Sequence, residues 1–326
     1  MRGNIHQRYR YLIPLTAFII LLAGIASATI QNASSGTFDG VNIFENTKND
    51  CSGLRWQVIT DSANLTFPVK VEGELFFAGE RVPLEDPEVK ERLERELQLN
   101  AYWHSNTLTS MKQANRYFGQ LEEILTQNGV PADFKYMPLI ESGFRNDISP
   151  SGAVGFWQIM KGTAATYNLE VNSEVDERYN IEKSTLAACR YLTDAKGKFG
   201  SWTTAAASYN MGMGGMANRI EDQKTSNFYD MYFNPETSRY IFRMLAMKII
   251  FSNPQIAGFL IDKEDLYQPY KYKTVEIDSS IPNIADFATS YGLKYKHIKI
   301  LNTWLREAKL TNKERKKYSI KVLELN

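Results

Sequence analysis

The sequence predicts a mainly α protein: a helical domain over residues 66–260, then a small strand–helix–helix–strand module over 270–326. Three observations carry this expectation. Apolar residues recur at helical spacing through most of the stretch from Pro87 to Phe251. The composition shifts after Pro269, where Lys-Tyr-Lys-Thr-Val-Glu-Ile has the β-branched, alternating character of a strand. Between these regions the one long irregular run, 142–163, is rich in glycine and aromatic residues, and such runs inside compact domains are usually functional.

The elements follow in order. Residues 1–28 read as a secretory signal: Arg2, Arg8 and Arg10 precede an uncharged apolar run, which ends at Ala26-Ser27-Ala28, a small-x-small cleavage site. An uncleaved anchor is the alternative and would be the only membrane contact. Export to the periplasm or cell envelope of a bacterium is the expectation. Residues 29–65 read as a polar linker, and Cys51 within it as an exposed thiol. Phe-Pro-Val-Lys-Val and Glu-Leu-Phe-Phe-Ala around Glu72-Gly73 predict a hairpin. Helices are expected over Pro87–Leu99, from about Leu108 to Asn128-Gly129, and from Pro131 to about Glu141. Others are expected over roughly 163–168, 181–198 with Asn180 as N-cap, 202–211 with Ser201 as N-cap, and 236–251. In the last module, strands at KYKTVEI and YSIKVLEL flank helices beginning at Ile284 and near Tyr295. Seven cations and two anions between Arg306 and Lys321 read as a solvated loop.

Charge and composition exclude several classes. The chain of 326 residues holds 38 Lys and Arg against 37 Asp and Glu, so the basic excess of a strong nucleic-acid binder is missing. Three histidines and two cysteines rule out a zinc ribbon or a disulfide-stapled scaffold.

One carboxylate stands in an unusual place. Phe134, Met137, Pro138 and Glu141 share a helix face, and Tyr136, Leu139 and Ile140 cover much of the remainder. Burial and the negative end of the helix both disfavour an anion at Glu141, which keeps a proton available near neutral pH. That is the state a general acid needs. Ser142-Gly143-Phe144 then turns the chain. Small residues from Ser149 to Gly155 allow close backbone approach to a ligand, Phe156 and Trp157 offer flat apolar surfaces for sugars, with at least one of the two expected in the core, and Gln158 offers a donor and an acceptor. Ala205, Ala206 and Ala207 allow tight helix contact and bring Tyr209 and Asn210 toward the same place.

These segments resemble the lytic transglycosylases of the soluble type, with their goose-lysozyme-like fold. Glu141-Ser142, Gly155-Phe156-Trp157-Gln158, Ser208-Tyr209-Asn210-Met211-Gly212 and Glu236-Thr237-Ser238-Arg239-Tyr240 stand in that family's order, most like the membrane-bound transglycosylase D branch. Asp278-Ser279, Ile284-Ala285, Tyr291-Gly292 and Leu301-Asn302 make the last module resemble a degenerate LysM peptidoglycan-binding domain. The resemblance implies cleavage of the β-1,4 bond between N-acetylmuramic acid and N-acetylglucosamine, with a 1,6-anhydro product. It implies that Glu141 is catalytic and that Tyr209 orients it. Asn210, Gln158, Glu236 and either Ser149 or Ser151 would face the substrate. It implies no cofactor or metal, and glycan strands of peptidoglycan as the partner. A hydrolase on the same fold and a non-catalytic wall-binding protein are the alternatives.

Overall fold

The computed structural model describes residues 68–324. The expected signal, the linker and Cys51 lie outside the described residues. Among these residues no helix is long and apolar enough to cross a membrane.

The hairpin forms one segment later than the sequence suggests. Strands β1 (Phe76–Phe77) and β2 (Glu80–Arg81) pair antiparallel. The turn sits at Ala78-Gly79 because both residues adopt positive φ (53° and 77°), the geometry a two-residue hairpin demands. Glu72-Gly73 is only a bend.

Two long helices follow, α1 (Pro87–Tyr102) and α2 (His104–Gln127). Asp86 caps α1 by accepting from the Glu88 amide, and Pro87 occupies the first turn, where its missing N–H costs nothing. After a 3₁₀ turn at Ala132–Lys135 comes the short helix α3 (Tyr136–Ser142), buried on nearly every side and stopped by Gly143 in the left-handed conformation. Helix α4 (Lys161–Thr166) closes the irregular run.

Helices α5 (Ile181–Phe199) and α6 (Trp202–Met211) are packed together, capped by the Asn180 and Ser201 side chains as their sequences suggest. Helix α7 (Met213–Gln223) is an element the sequence reading omits: Gly214 and Gly215 weaken its local signal, and it forms around the buried Met216. Helix α8 (Pro235–Ser252) crosses the core; its residues Tyr240–Phe242 and Met244–Phe251 are buried, and it packs along α1.

The C-terminal module has strands β3 (Tyr272–Ile277) and β4 (Tyr318–Leu323), paired antiparallel, with α9 (Ile284–Ser290) and α10 (Tyr295–Leu301) between them. Its core is not closed on itself. Val154, Val175 and Tyr179 of the helical domain are buried in the same cluster as Ile284, Trp304, Leu305 and Ile320. Backbone bonds bridge the two: Asp176 N–H donates to the Trp304 carbonyl at 2.9 Å, and Arg306 N–H to the Glu174 carbonyl at 2.8 Å. The Arg306 guanidinium lies 3.9 Å from the centre of the Tyr179 ring, within cation–π range.

Candidate active site

Glu141 lies in the last turn of α3, where that helix meets α8. Tyr240, on α8 and 1% exposed, donates its phenol proton to Glu141 Oε1. Also from α8, the Arg243 guanidinium donates to the Ile140 carbonyl at 2.6 Å, satisfying one orphan acceptor of the α3 terminus. The carboxyl is pushed up to about 7, chiefly because it is withdrawn from water. The Tyr240 hydrogen bond and the Arg243 charge pull it back down, and the Glu236 charge adds to the rise. The Tyr240 and Tyr209 phenols are both held well above their ordinary value by burial and by the charge on Glu141, so both remain proton donors. The acid thus keeps its proton in a large share of molecules at neutral pH, beside a fixed donor.

Ser142 follows the acid for a structural reason. Its hydroxyl lies 3.0 Å from the carbonyls of both Pro138 and Phe156, tying α3 to the irregular loop. That loop is rigidly built. Ser149 N–H donates to the Ala153 carbonyl at 2.8 Å, and Ala153 N–H donates to the Ser149 hydroxyl at 2.9 Å. Buried Arg178, paired with Asp176, reaches the carbonyls of Gly152 and Ile159, both at 3.3 Å. Gly155 has φ 76°, and a Cβ there would run into the Arg178 carbonyl oxygen, so only glycine fits.

Several expectations change. Phe156 and Trp157 are 2% and 0% exposed: Phe156 stacks edge-on against Tyr117, and Trp157 donates to the Thr185 hydroxyl at 2.8 Å. They are core residues, not a sugar platform, because the loop folds them inward. Tyr209 does not bond Glu141. Its phenol donates to the Trp157 carbonyl at 2.8 Å, which fixes the loop, and Tyr240 holds the acid instead. The sequence carries Tyr240 in Glu-Thr-x-x-Tyr, and its spacing of four from Glu236 puts both on one face of α8.

The other candidates divide into two groups. Asn210 accepts from the Thr237 hydroxyl at 2.7 Å and donates to Glu236 Oε1 at 3.1 Å, joining the end of α6 to the start of α8. Gln158, at φ 46°, donates to the Gly155 carbonyl at 2.8 Å and the Asp147 carbonyl at 3.3 Å. Ser149 closes its turn, while Ser151 is exposed at the tip. A cavity of about 1010 Å³ opens on another side of Glu141, walled by α1, the start of α2, α3 and α8. Its exposed aromatics are Tyr102 (40%) and Trp103 (61%), which the sequence reading did not single out. Ser149, Ser151, Gln158, Tyr209, Asn210 and Glu236 are not among the walls of that cavity.

Residues 116–232 match the family described as the transglycosylase SLT domain, which spans Glu141, Gln158, Tyr209 and Asn210. Residues 273–324 match the family described as the soluble lytic transglycosylase C-terminal LysM-like domain. The chain is 25% identical over 249 residues to membrane-bound lytic murein transglycosylase D of Escherichia coli, covering 73% of this chain and 54% of that protein. It thus spans about half the length of this curated relative. Among solved structures, the 70 kDa soluble lytic transglycosylase of Escherichia coli aligns with a TM-score of 0.38 at 18% identity, covering 55% of this chain and 33% of that one. The lytic transglycosylase Slt of Pseudomonas aeruginosa aligns with a TM-score of 0.37 at 17% identity, covering 57% and 36%. The chain is homologous to membrane-bound lytic murein transglycosylase D, and it joins a transglycosylase SLT domain to a C-terminal LysM-like domain.

Proposed function

We propose that this chain is an exported peptidoglycan lytic transglycosylase in which Glu141 is the sole proton-transfer residue. The observation that carries the reading is a single recessed carboxyl, pushed up to about 7 and held by the Tyr240 phenol at the edge of a large cavity. Nearby acids are already engaged: Glu96 forms a two-pronged pair with Arg239 (2.5 and 3.0 Å), and Glu236 accepts from Asn210. A two-carboxylate scheme therefore has little support, and a scheme in which the substrate supplies the second group fits better.

The steps balance with one acid. Protonated Glu141 gives its proton to the glycosidic oxygen as the bond to the anomeric carbon of N-acetylmuramic acid breaks. The acetamido carbonyl or the ring oxygen shares the positive charge that develops there. The 6-hydroxyl oxygen then closes on the anomeric carbon, and its proton returns to the Glu141 carboxylate. The product is a 1,6-anhydro sugar, and no water is consumed. Tyr240 orients the acid through both steps. Asn210, Gln158 and Glu236 are assigned to the muramic-acid side, with Ser149 or Ser151 beside them; the exposed position of Ser151 favours it for direct contact.

The test is digestion of purified peptidoglycan followed by mass spectrometry. Anhydro products are expected from the wild type, and Glu141→Gln should fold but lose cell-wall lysis. Products heavier by one water would establish a hydrolase, and lysis by Glu141→Gln near the wild-type rate would remove Glu141 from the chemistry.

A further inference from the structure

The loop between α3 and α4 is held in a strained shape. Gln158 sits at φ 46°, a left-handed conformation that costs a residue with a side chain free energy and persists only where the surroundings impose it. Arg178 supplies much of that constraint. Its Nη1 donates to the carbonyls of Gly152 and Ile159, one on each limb of the loop, and its own carbonyl is the wall against which Gly155 is wedged. Asp176 fixes the guanidinium through both carboxylate oxygens, at 3.0 and 2.8 Å. The pair is buried, and the fork of the guanidinium matches the carboxylate in one orientation.

The mount continues into the C-terminal module. Asp176 N–H donates to the Trp304 carbonyl, Val175 forms a bridge with Leu305, and the Thr303 hydroxyl donates to the Tyr179 carbonyl at 2.9 Å. Val154, inside the loop itself, is buried in the module's apolar cluster. Two routes thus run from the module to the loop, one through Asp176 and Arg178 and one through Val154.

We propose that Arg178 is a positioning residue for the glycan-facing loop and that the C-terminal module completes its mount, so that the loop's grip on glycan is set by residues that do not touch the sugar. The inference rests on the reading above that Gln158 and Ser151 face the muramic-acid side. It gives the module a part in the cleft that is separate from any wall polymer the module binds itself.

The test uses the full chain. Asp176→Asn combined with Arg178→Met removes the clamp without stranding a buried charge, and Arg178→Lys keeps the cation but not the fork. Thr303→Val and Leu305→Ala loosen the mount from the module side and change no residue of the helical domain. Leu75→Ala, a core truncation beside β1, controls for a general loss of stability. Hydrogen exchange of residues 147–159 is read without glycan, and affinity for soluble glycan fragments is read in a Glu141→Gln background. In the double variant, exchange in the loop is expected to quicken about tenfold. Glycan should bind roughly fivefold more weakly, the worth of about one hydrogen bond, and with Glu141 intact KM should rise more than kcat falls. Arg178→Lys should recover part of both effects, the module variants should show both in smaller measure, and Leu75→Ala should lower the melting temperature with neither. Unchanged loop exchange or glycan affinity in the double variant, module variants that match the wild type, or equal loop effects in Leu75→Ala would overturn the proposal. The expected pattern in a protein whose wild type forms no anhydro product would uphold this inference and defeat the transglycosylase reading alone.

Discussion

On the proposed function Glu141 carries the chemistry, and its setting yields predictions of definite sign. As a general acid it must be protonated, so kcat/KM should fall as pH rises through about 7. Its folded value lies above the ordinary carboxylate value of 4.5, so the native state holds the proton more tightly than the unfolded chain. The stability linked to that proton is present at acid pH and is lost as pH climbs from the unfolded value through the folded one. Glu141→Gln mimics the protonated form, so its melting temperature should exceed that of the wild type at pH 8 by more than at pH 5, with a gain of up to about 3 kcal/mol. A constant difference across that range, measured by calorimetry, would contradict the burial argument. Tyr240→Phe removes the donor that lowers the acid, so the alkaline limb of the pH–rate profile should move up while the rate falls roughly tenfold. The acid could be read from the sequence because a carboxylate on an apolar helix face is visible as a pattern. Tyr240 could not be paired with it by pattern alone: the two residues are 99 apart, and only the crossing of α3 and α8 brings them together.

At the scale of elements, each helix that carries a site residue is pinned by something remote in sequence. Helix α6, which presents Tyr209 and Asn210, starts on the carboxylate of Glu80 in β2. Glu80 accepts from the amides of Trp202 (2.7 Å) and Thr203 (2.9 Å), and from the hydroxyls of Ser201 and Thr203. This is an anion placed at a helix N-terminus. Burial alone would raise its proton affinity, but these donors reverse the effect and hold it below the usual carboxylate value. Its contribution is therefore complete above about pH 4.5 and lost as pH falls through the lowered folded value. Glu80→Gln should cost about 1 kcal/mol at pH 7, after allowance for its half-wet setting, and less at pH 3.5, read from urea melts. Local rules revealed most helices: the caps at Asn180 and Ser201 and the stop at Gly143 are chemistry within a few residues. They failed at α7, where tertiary packing of Met216 outweighs two glycines. They also misplaced the hairpin, which is decided by which residues tolerate positive φ.

Among the described residues, the helical domain and the C-terminal module share buried apolar surface. The shared cluster around Val175, Tyr179, Trp304 and Leu305 predicts a single calorimetric transition, since neither part can open without exposing the other's apolar surface. Two well-separated transitions would contradict this. Deleting residues 271–326 should destabilise the helical part as well and loosen the loop at Gly155, because Asp176, which holds Arg178 against that loop, itself donates its N–H to the Trp304 carbonyl of the module. Within the module the sequence patterns located both strands and both helices, which are local. They could not reveal its attachment, which rests on residues such as Arg306 and Glu174 that read as ordinary surface charges.

That attachment has a geometric corollary. A module on a leash would sample many positions around the enzyme and raise only the local concentration of wall polymer. This one is set in a mount. Any strand it gripped would reach Glu141 at one spacing and one angle, and the distance from grip to cut would act as a ruler for the length of the fragment released.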